Sequence, residues 1–426
     1  MKVLRIITVL AALLTALSAS AQQMADYIED LASATFDGRR AGTEGEKEAA
    51  QYMSDAFRNL GIELLYGRDG DPFGIKGEAG DTLISRNVAG VVRGYDRELK
   101  DHYIVIGARL DNLGVNRLTI DGEPRNQYFL GANGNASGLA MLLGLAHELQ
   151  TNAIMLRRSV VLVAFGASLQ STAGSWYFIN RSFDGAPNVD AMINLDMLGT
   201  GTSGFYAYTA SNPDLNNILD NLRKTLQPAQ PELVAREPVA SDHRAFYDRE
   251  IPSVFFTSGM YPEYNTDRDT PSIIDYDAMD RELEYIFNFT LCLANGPKPM
   301  FRQSKEVKKR QEGEERIIPF SECDVPPTFL GSTDPVNFLK RWVYTYLRYP
   351  EEAVKEGIQG RVLVDFVIDE KGKMKDVRVL RGVHPLLDEE AVRVVSASPD
   401  WKPARHRGQK VKSQVSMYVE FKLKKR

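Results

Sequence analysis

Apolar residues in the first 300 positions follow two spacings, one typical of helices and one typical of strands. A helix is predicted between Thr43 and Gly61, because apolar residues recur there at helical spacing. Residues 138–149 predict a second, packed helix. Short apolar runs predict buried strands at residues 103–108, 159–164, 192–195 and 253–257. Helices that alternate with buried strands predict an α/β fold, with a mixed, mostly parallel sheet flanked by helices.

Beyond residue 317 the pattern becomes that of a small α+β module. Residues 360–369 alternate between polar and apolar, Lys371-Gly372 supplies a hairpin turn, and residues 375–380 predict the returning strand. An amphipathic helix over residues 386–395 and a last alternating strand over residues 413–423 complete the module.

Residues 298–319 separate the two patterns. They are rich in charge and lack apolar periodicity, so they predict a solvated linker. Acidic residues interrupt the basic ones, and a nucleic-acid site is therefore not expected. The predicted organisation is a signal peptide at residues 1–21, an α/β domain at 22–297, the linker, and the small module at 320–426.

The N-terminus has the order of a secretory signal. Lys2 and Arg5 precede an apolar stretch at residues 6–17 and the small residues Ala19-Ser20-Ala21, which predicts cleavage before Gln22. The stretch is shorter than the roughly 20 apolar residues that cross a bilayer. No later segment is apolar enough, so we expect an exported protein without a transmembrane anchor.

The chain has two cysteines, Cys292 and Cys323, which flank the predicted linker. In an oxidising compartment they can pair and tie the two domains together. The alternative is a buried Cys292 in a helix and an unpaired Cys323, because sequence alone does not fix the pairing. Neither their number nor their spacing indicates a metal site.

The formal net charge of −5 is unevenly divided along the chain. Residues 317–426 hold 20 Lys and Arg against 15 Asp and Glu, a net of +5, whereas residues 22–316 carry −12. Opposite charges favour contact between the two parts. Salt screens such attraction over about 8–10 Å, so charge alone is weak evidence for docking.

Polar segments follow the predicted strands, and ligand sites in open α/β sheets lie beyond the carboxyl ends of strands. The segments are residues 107–112, 131–138, 165–170, 194–199 and 264–270. In order and spacing they resemble the M28 family of zinc aminopeptidases. In that family the five segments carry, in order, His-x-Asp, an Asp at the fourth position, Glu-Glu, Asp, and Tyr-His-Thr-Pro-x-Asp-Thr. The resemblance covers residues 24–296. It implies an aminopeptidase-like fold and a co-catalytic zinc site.

This chain departs from the family at five of the six positions that hold metal ligands or the catalytic base. Zinc needs imidazole, carboxylate or thiolate donors, and hydrolysis needs a base for the metal-bound water. Only Asp196 is retained, so we expect no bound zinc and no hydrolysis. The replacements are Arg109 and Asn265 for His, Gly134 for the bridging Asp, Leu169 for a Glu ligand and Ser168 for the Glu base.

Without zinc, Asp111 and Asp196 lack a compensating charge. Arg109 can supply it, because a guanidinium forks onto carboxylates, and we expect it to contact Asp196, Asp111 or both. Further candidates for a binding cleft are Asn133, Asn135, Asp242, His243, Tyr264 and Asn265.

Each of these candidates also has a structural interpretation. Asn and Asp side chains commonly satisfy the backbone of turns. His243 lies in Ser-Asp-His-x-x-Phe, which matches a further M28 segment. It either lines the pocket or is a structural histidine hydrogen-bonded within a loop.

The C-terminal module contains Tyr349-Pro350-Glu351-Glu352-Ala353, an alternating strand that begins at Gly360 and ends in Asp-x-x-Gly, and Trp401-Lys402-Pro403-Ala404. Residues 320–426 thereby resemble the C-terminal domain of TonB-type proteins. The resemblance implies a domain that binds extended segments by adding a strand to its sheet. We expect no energy transduction, because a cleaved signal leaves no transmembrane helix, and Val415, Tyr418 and Phe421 are interpreted as sheet residues.

Three functions are consistent with these features. The first is a non-catalytic periplasmic protein whose peptidase-like cleft binds a peptide or peptidoglycan fragment and whose TonB-like module docks an envelope protein, with no cofactor. The second is an active metallo-aminopeptidase with a zinc site rebuilt from Asp111, Asp196, Asp242 and His243. The third is a purely architectural envelope protein.

Overall fold

The structure is a computed structural model that describes residues 19–77, 80–120, 123–201, 204–225, 229–234, 237, 239–302, 317–320, 323–406 and 408–423. The chain forms two compact units. Unit 1 comprises residues up to Gly114 and Tyr128–Ser304, and unit 2 comprises Val115–Gln127 and the chain from Lys305 onward. The predicted linker therefore leads from one unit to the other, and residues 303–316 of it lie outside the described residues.

Unit 1 is built on one large mixed sheet in the order β1-β3-β7-β4-β8-β11-β9-β10, with β2 paired to β3. The neighbours β7, β4, β8 and β11 run parallel at its centre. These four are the predicted buried strands, so the predicted α/β fold class is confirmed. The strands are β1 Glu63–Leu64, β2 Asp71–Lys76, β3 Thr82–Val92, β4 Tyr103–Arg109, β7 Ser159–Phe165, β8 Val189–Leu195, β9 Tyr206–Tyr208, β10 Glu232–Leu233 and β11 Ser253–Thr257.

Helices cover both faces of this sheet. The predicted first helix is α2, and the Thr43 side chain caps it by accepting from the Glu46 amide. The predicted packed helix is α3. The helices of unit 1 are α1 Ala19–Leu31, α2 Glu44–Asn59, α3 Ser137–Thr151, α4 Ala173–Tyr177, α5 Pro213–Thr225, α6 His243–Tyr247 and α7 Tyr276–Asn295.

Side-chain alternation along β4 divides the core into two layers. Ile104 and Ile106 pack with residues of α1, α2, α3, α5 and α7 on one face. Val105 points to the other face and packs with Phe178 and Phe246. Both faces of the central strands are buried, which explains why their sequences are continuous apolar runs.

The two ends of unit 1 include parts of the predicted signal peptide and of the predicted linker. Residues 1–18 lie outside the described residues, and α1 begins at Ala19 and runs past the predicted cleavage point. Cleavage before Gln22 therefore stays a prediction. At the other end, Met300 donates its amide to Asp214 and Phe301 packs edge-on against Tyr247. The start of the predicted linker is thus fastened to unit 1.

Unit 2 contains a second sheet in the order β12-β17-β13-β14, and α11 packs against it. The predicted strands and helix of the C-terminal module are all present. The elements are β5 Gly114–Ile120, β6 Glu123–Phe129, β12 Ile318–Pro319, α8 Pro335–Phe338, α9 Tyr344–Tyr346, α10 Glu351–Lys355, β13 Gly360–Ile368, β14 Met374–Arg381, α11 Pro385–Ser396, β15 Ala404–His406, β16 Gln409–Val411 and β17 Ser413–Phe421.

Strand β17 is a regular sheet strand. It pairs with β13 through nine consecutive residues without a shift in register. Val415 and Phe421 are buried in the core, and Tyr418 lies under the guanidinium of Arg361 at 4.6 Å. These contacts agree with the interpretation of Val415, Tyr418 and Phe421 as sheet residues.

The cysteines lie in different units. Cys292 is half-buried in α7, as predicted for a helix position. Cys323 is buried in unit 2, and its thiol donates to Ser413 Oγ at 3.4 Å. Within the described ranges, no helix is both long enough and apolar enough to span a membrane.

Asp190 holds the start of β8 to two cations and a histidine. Its carboxylate is almost fully buried and accepts from Arg158 Nε at 2.8 Å, Lys298 Nζ at 2.8 Å and His102 Nδ1 at 3.1 Å. Burial raises the pKa of this carboxyl, but Lys298, Arg158 and His102 outweigh it and hold the pKa below its usual value.

Replacing Asp190 with Asn should lower the free energy of unfolding by about 3 kcal/mol, because Arg158 is left buried without its anion. Urea unfolding followed by circular dichroism measures the change. Asp55→Asn is the control, since Asp55 forms exposed ion pairs and should cost at most about 1 kcal/mol. Equal effects of the two substitutions would contradict this role of Asp190.

Candidate functional site

The polar segments predicted from the sequence come together at one edge of the sheet of unit 1. Arg109 is the last residue of β4, Ser168 follows β7, and Asp196 follows β8. Hydrogen bonds tie these segments to one another and to the loop after β11. The central strands are parallel, so their carboxyl ends meet at this edge.

Arg109 lies at the centre of the edge and is only 4% exposed. Its Nη2 donates to Asp196 Oδ1 at 3.2 Å, and its Nη1 donates to the backbone carbonyl of Asp111 at 3.2 Å. The expected pairing with Asp196 is thus present. Contact with Asp111 runs through its main chain rather than through its carboxylate.

Both carboxylate oxygens of Asp196 have partners. Oδ1 accepts from Arg109, and Oδ2 accepts from Ser241 Oγ at 3.0 Å. Ser241 is oriented in turn by Asn194, whose Nδ2 donates to its hydroxyl at 2.8 Å. The one retained ligand position is therefore held in a network of protein donors.

The Asp111 carboxylate binds the backbone of the loop after β7. Its oxygens accept from the amide of Ser168 at 2.7 Å and from that of Leu169 at 3.2 Å. Burial raises the pKa of Asp111 to about 6, against the opposing effect of the Arg109 charge and these two amides. Asp111 thus serves as an anchor for this loop.

Ser168 and Leu169 occupy the positions of the family's base and ligand. Ser168 Oγ is hydrogen-bonded to Asp242 Oδ2 at 2.7 Å, and burial raises the pKa of Asp242 to about 7. An alkyl hydroxyl held in this way is a poor proton acceptor. Leu169 is 39% exposed and offers no donor atom for a metal.

Gly134 lies against Arg109 in a loop that Asp269 fixes. Asp269 accepts from the amides of Asn133 at 2.7 Å and Gly134 at 3.0 Å, and from Tyr261 Oη at 2.6 Å. A Cβ at position 134 would lie 2.9 Å from Tyr261 Oη and 3.5 Å from Arg109 Nη2. A bridging carboxylate here would require its neighbours to move.

Asn133 and Asn135 are fully buried and hold loops together. Asn133 Oδ1 accepts from the Gly199 amide at 2.7 Å, and Asn135 Oδ1 accepts from the Met197 amide at 2.9 Å. Both bonds connect the loop before α3 to the segment after β8. Of the two interpretations given above, these contacts support the structural one.

His243 is also part of the packing. Its Nε2 lies 3.1 Å from Glu237 Oε1, and its ring stacks on Phe255 at 5.1 Å. The side chain is 3% exposed, which supports the structural interpretation over the pocket-lining one. Tyr264 and Asn265 lie half-buried in the loop after β11, where the Tyr264 ring meets the ring of Tyr261 edge-on.

Arg39 is a site residue that the sequence analysis missed. It is fully buried, and its guanidinium donates to the carbonyls of Leu110 at 3.1 Å, Leu130 at 2.9 Å and Gly131 at 3.1 Å, and to that of Leu31. Burial and, to a lesser extent, the nearby charge of Arg109 lower the pKa of Arg39 to about 10. One signal for it was present in the sequence. Arg39 and Arg40 lie just before the N-terminus of α2, where acidic residues are more favourable than basic ones.

Glu46, on α2, was missed as well. It accepts from the Ser85 hydroxyl at 2.5 Å and the Gly42 amide at 2.6 Å. Burial raises the pKa of Glu46 to about 8, and the charge of Asp111 adds to this increase. A Glu in the first turn of a helix is common, so its local sequence does not single it out.

The residues at this edge do not fit a zinc pair. A guanidinium, a glycine, a hydroxyl and an alkyl group stand at four ligand or base positions, and the Asp196 oxygens are bound to Arg109 and Ser241. Across the part of the chain that the structure describes, no three His, Cys, Asp or Glu residues are grouped to hold a metal ion.

Comparison with protein families gives two matches. Residues 87–290 match the model of peptidase family M28, and residues 345–423 match that of the Gram-negative bacterial TonB protein C-terminal domain. The chain joins an M28 peptidase-like domain to a TonB C-terminal-like domain. A sequence search of curated proteins gives no match.

Solved structures share the fold of the M28-like domain. An aminopeptidase from Aneurinibacillus sp. strain AM-1 is 16% identical with a TM-score of 0.53, over 67% of this chain and 96% of its own. A zinc aminopeptidase from Bacillus subtilis is 16% identical with a TM-score of 0.52, over 67% and 98%. Porphyromonas gingivalis glutaminyl cyclase is 18% identical with a TM-score of 0.50, over 63% and 97%.

Replacing Arg109 with Met should destabilise the M28-like domain by about 3–5 kcal/mol, because Asp196 is left buried without its cation. Chemical denaturation measures the loss. Arg58→Met is the control, since Arg58 is 61% exposed and its ion pair should contribute less than about 1 kcal/mol. A stable Arg109→Met protein would show that the ion pair does not hold the site together.

Stability should fall as the pH rises from about 5.5 to 8.5. Asp111, Asp242 and Glu46 have pKa values raised to about 6, 7 and 8, so the folded state binds more protons than the unfolded state. Unfolding then releases protons, and a higher pH favours it.

Urea midpoints at the two pH values test this expectation. Asp242→Asn should flatten the pH dependence, since the amide keeps an acceptor for Ser168 but does not titrate. Asp248→Asn, an exposed position at the end of α6, should leave it unchanged. A wild-type midpoint that increases over this range would contradict the expected sign.

Proposed function

We propose that this is a non-catalytic protein of the Gram-negative periplasm. Its M28-like domain binds a peptide or a peptidoglycan fragment without hydrolysing it, and its TonB-like domain docks an envelope protein. The observation that carries the proposal is the buried ion pair between Arg109 and Asp196. It puts a permanent cation at a position where the family has a metal-binding imidazole.

The remaining groups support the loss of hydrolysis. Peptide hydrolysis requires an activated water, a base to deprotonate it and a cation to stabilise the developing oxyanion. Ser168 is bonded to Asp242, and Asp111 is occupied by two loop amides. Arg109 carries the right charge, but Asp196 and the Asp111 carbonyl already engage its two terminal nitrogens.

A binding role for the edge is supported by its apolar side chains. Leu169 follows β7 and is 39% exposed, and Met260 follows β11 and is 52% exposed. Exposed apolar side chains beside polar loops are typical of peptide-binding surfaces. The fixed loops below them supply a rigid base for recognition.

The TonB-like domain supports a docking role through its sheet. Strand β14 is a poor template for another strand, because its register with β13 is irregular and it carries Lys375, Asp376 and Arg378, with Asp376 at a positive φ. Strand β17 is regular along its whole length. Strand β12 pairs with β17 at Ser413 and Gln414, so we assign partner binding by strand addition to the β17 side of the sheet beyond Gln414.

The alternative hydrolase needs Asp111, Asp196, Asp242 and His243 to converge on zinc. His243 is paired with Glu237, and both Asp196 oxygens are bonded to protein donors, so this arrangement would need several contacts to break. The architectural alternative shares the closed site but binds no ligand at the edge.

The deciding experiment measures zinc and turnover on the purified mature protein. After incubation with excess zinc and removal of loosely held ions, elemental analysis should find far less than one zinc per chain. Assays with aminoacyl substrates should give no turnover above the rate without protein. An active M28 aminopeptidase treated in parallel shows that the procedure retains bound zinc.

Near-stoichiometric zinc with turnover would instead establish the rebuilt metallo-aminopeptidase. In that case Asp196→Asn should abolish both zinc and activity. If neither zinc nor turnover is found, titration with peptidoglycan fragments and peptides separates the binding protein from the architectural one. Leu169→Ser should weaken binding at the edge, and Met155→Ser, an exposed apolar position outside it, should not.

A further inference from the structure

Strands β5 and β6 form a β-hairpin, and residues 115–127 belong to unit 2, although they lie within the stretch that matches the M28 family. Strands β5 and β6 pair only with each other among the described strands. A two-stranded ribbon is marginally stable in water on its own. Its conformation therefore depends on what it packs against.

Two side-chain amides attach the hairpin to the turn after β14. Asn116 Nδ2 donates to the carbonyl of Gly382 at 2.7 Å, and Gln127 Nε2 donates to the carbonyl of Val383 at 3.1 Å. One donor comes from each strand of the hairpin, and the acceptors are consecutive in the chain. This pairing fixes both the position and the orientation of the ribbon.

Leu118 adds an apolar contact between the same two segments. It is 7% exposed and belongs to the hydrophobic core of unit 2, together with Val383 and Val362. A Cβ at Gly360 would lie 2.8 Å from Leu118 Cδ2 and 2.9 Å from Val383 Cγ1. Gly360 thus leaves the space into which Leu118 packs.

We propose that the corner formed by Gly360, Gly382 and Val383 is a binding surface whose occupant is this chain's own hairpin, residues 115–127. The TonB-like domain is then completed by a segment from more than 200 positions earlier in the sequence. This inference does not depend on the proposed function, since it concerns the folding of unit 2.

A side-chain hydrogen bond closes the base of the hairpin. Asn112 Nδ2 donates to the carbonyl of Phe129 at 2.9 Å, which closes the base of the hairpin between Asp111 and the loop at Gly131. The same residues that complete the TonB-like domain are continuous with two loops of the site.

Hydrogen–deuterium exchange of the full-length protein, resolved by peptide, tests the proposal. Leu118→Ala should speed exchange at least several-fold in β13 and in the segment from Gly382 through α11. Arg117→Ala is the matched control, because it truncates the neighbouring, exposed side chain of the same strand. It should leave exchange in these peptides at the wild-type rate.

The reciprocal variant is Gly360→Ala, which crowds the pocket of Leu118. It should speed exchange in residues 115–127, far away in sequence, while peptides of β4 and β8 keep their rates. If Leu118→Ala changes exchange only within the hairpin, or Gly360→Ala leaves the hairpin unchanged, the corner is not a binding surface and the proposal fails.

Discussion

The charge of one guanidinium determines the organisation of the site edge. Moving an isolated ion into a protein interior is costly, so a buried cation must be paired and hydrogen-bonded. Burial works against the charge of Arg109, but Asp196 and neighbouring groups outweigh it and raise the pKa of Arg109. Asp196 is then fixed by Ser241, and Asp111 can remain an acceptor for the loop after β7. The segments after β4, β7 and β8 are positioned through this centre.

Arg39 also buries its guanidinium, but with different partners from those of Arg109. It binds only main-chain carbonyls, whose dipoles compensate its charge less fully than a carboxylate does, and burial lowers its pKa to about 10. Its hydrogen bonds connect α1 with the segments at Leu110 and Gly131. The two guanidiniums therefore have separate roles, since Arg109 balances charge and Arg39 joins loops.

Short-range patterns in the sequence were sufficient to predict the fold. The site was predicted less completely, because it depends on contacts between residues that lie far apart in the sequence. The central strands follow from continuous apolar runs, because both of their faces are buried, and the helix after Thr43 follows from apolar periodicity, because one of its faces is buried. The pairing of Arg109 with Asp196 followed from charge balance. The bonds of Asp269 to the loop at Gly134, and of Asn116 to Gly382, join residues more than 130 positions apart, and no local pattern encodes them.

Proton binding offers a physical account of how this edge accommodates its buried carboxyls. Two divalent ions would compensate several carboxylates, whereas Arg109 is one charge. The raised pKa values of Asp242 and Glu46 mean that near neutral pH these buried carboxyls take up protons and reduce the remaining negative charge. A carboxyl that holds its proton can also donate a hydrogen bond, which a metal ligand cannot do. The residues at the ligand positions are thus compatible with a folded edge, because a guanidinium and bound protons together reduce the negative charge of its buried carboxyls.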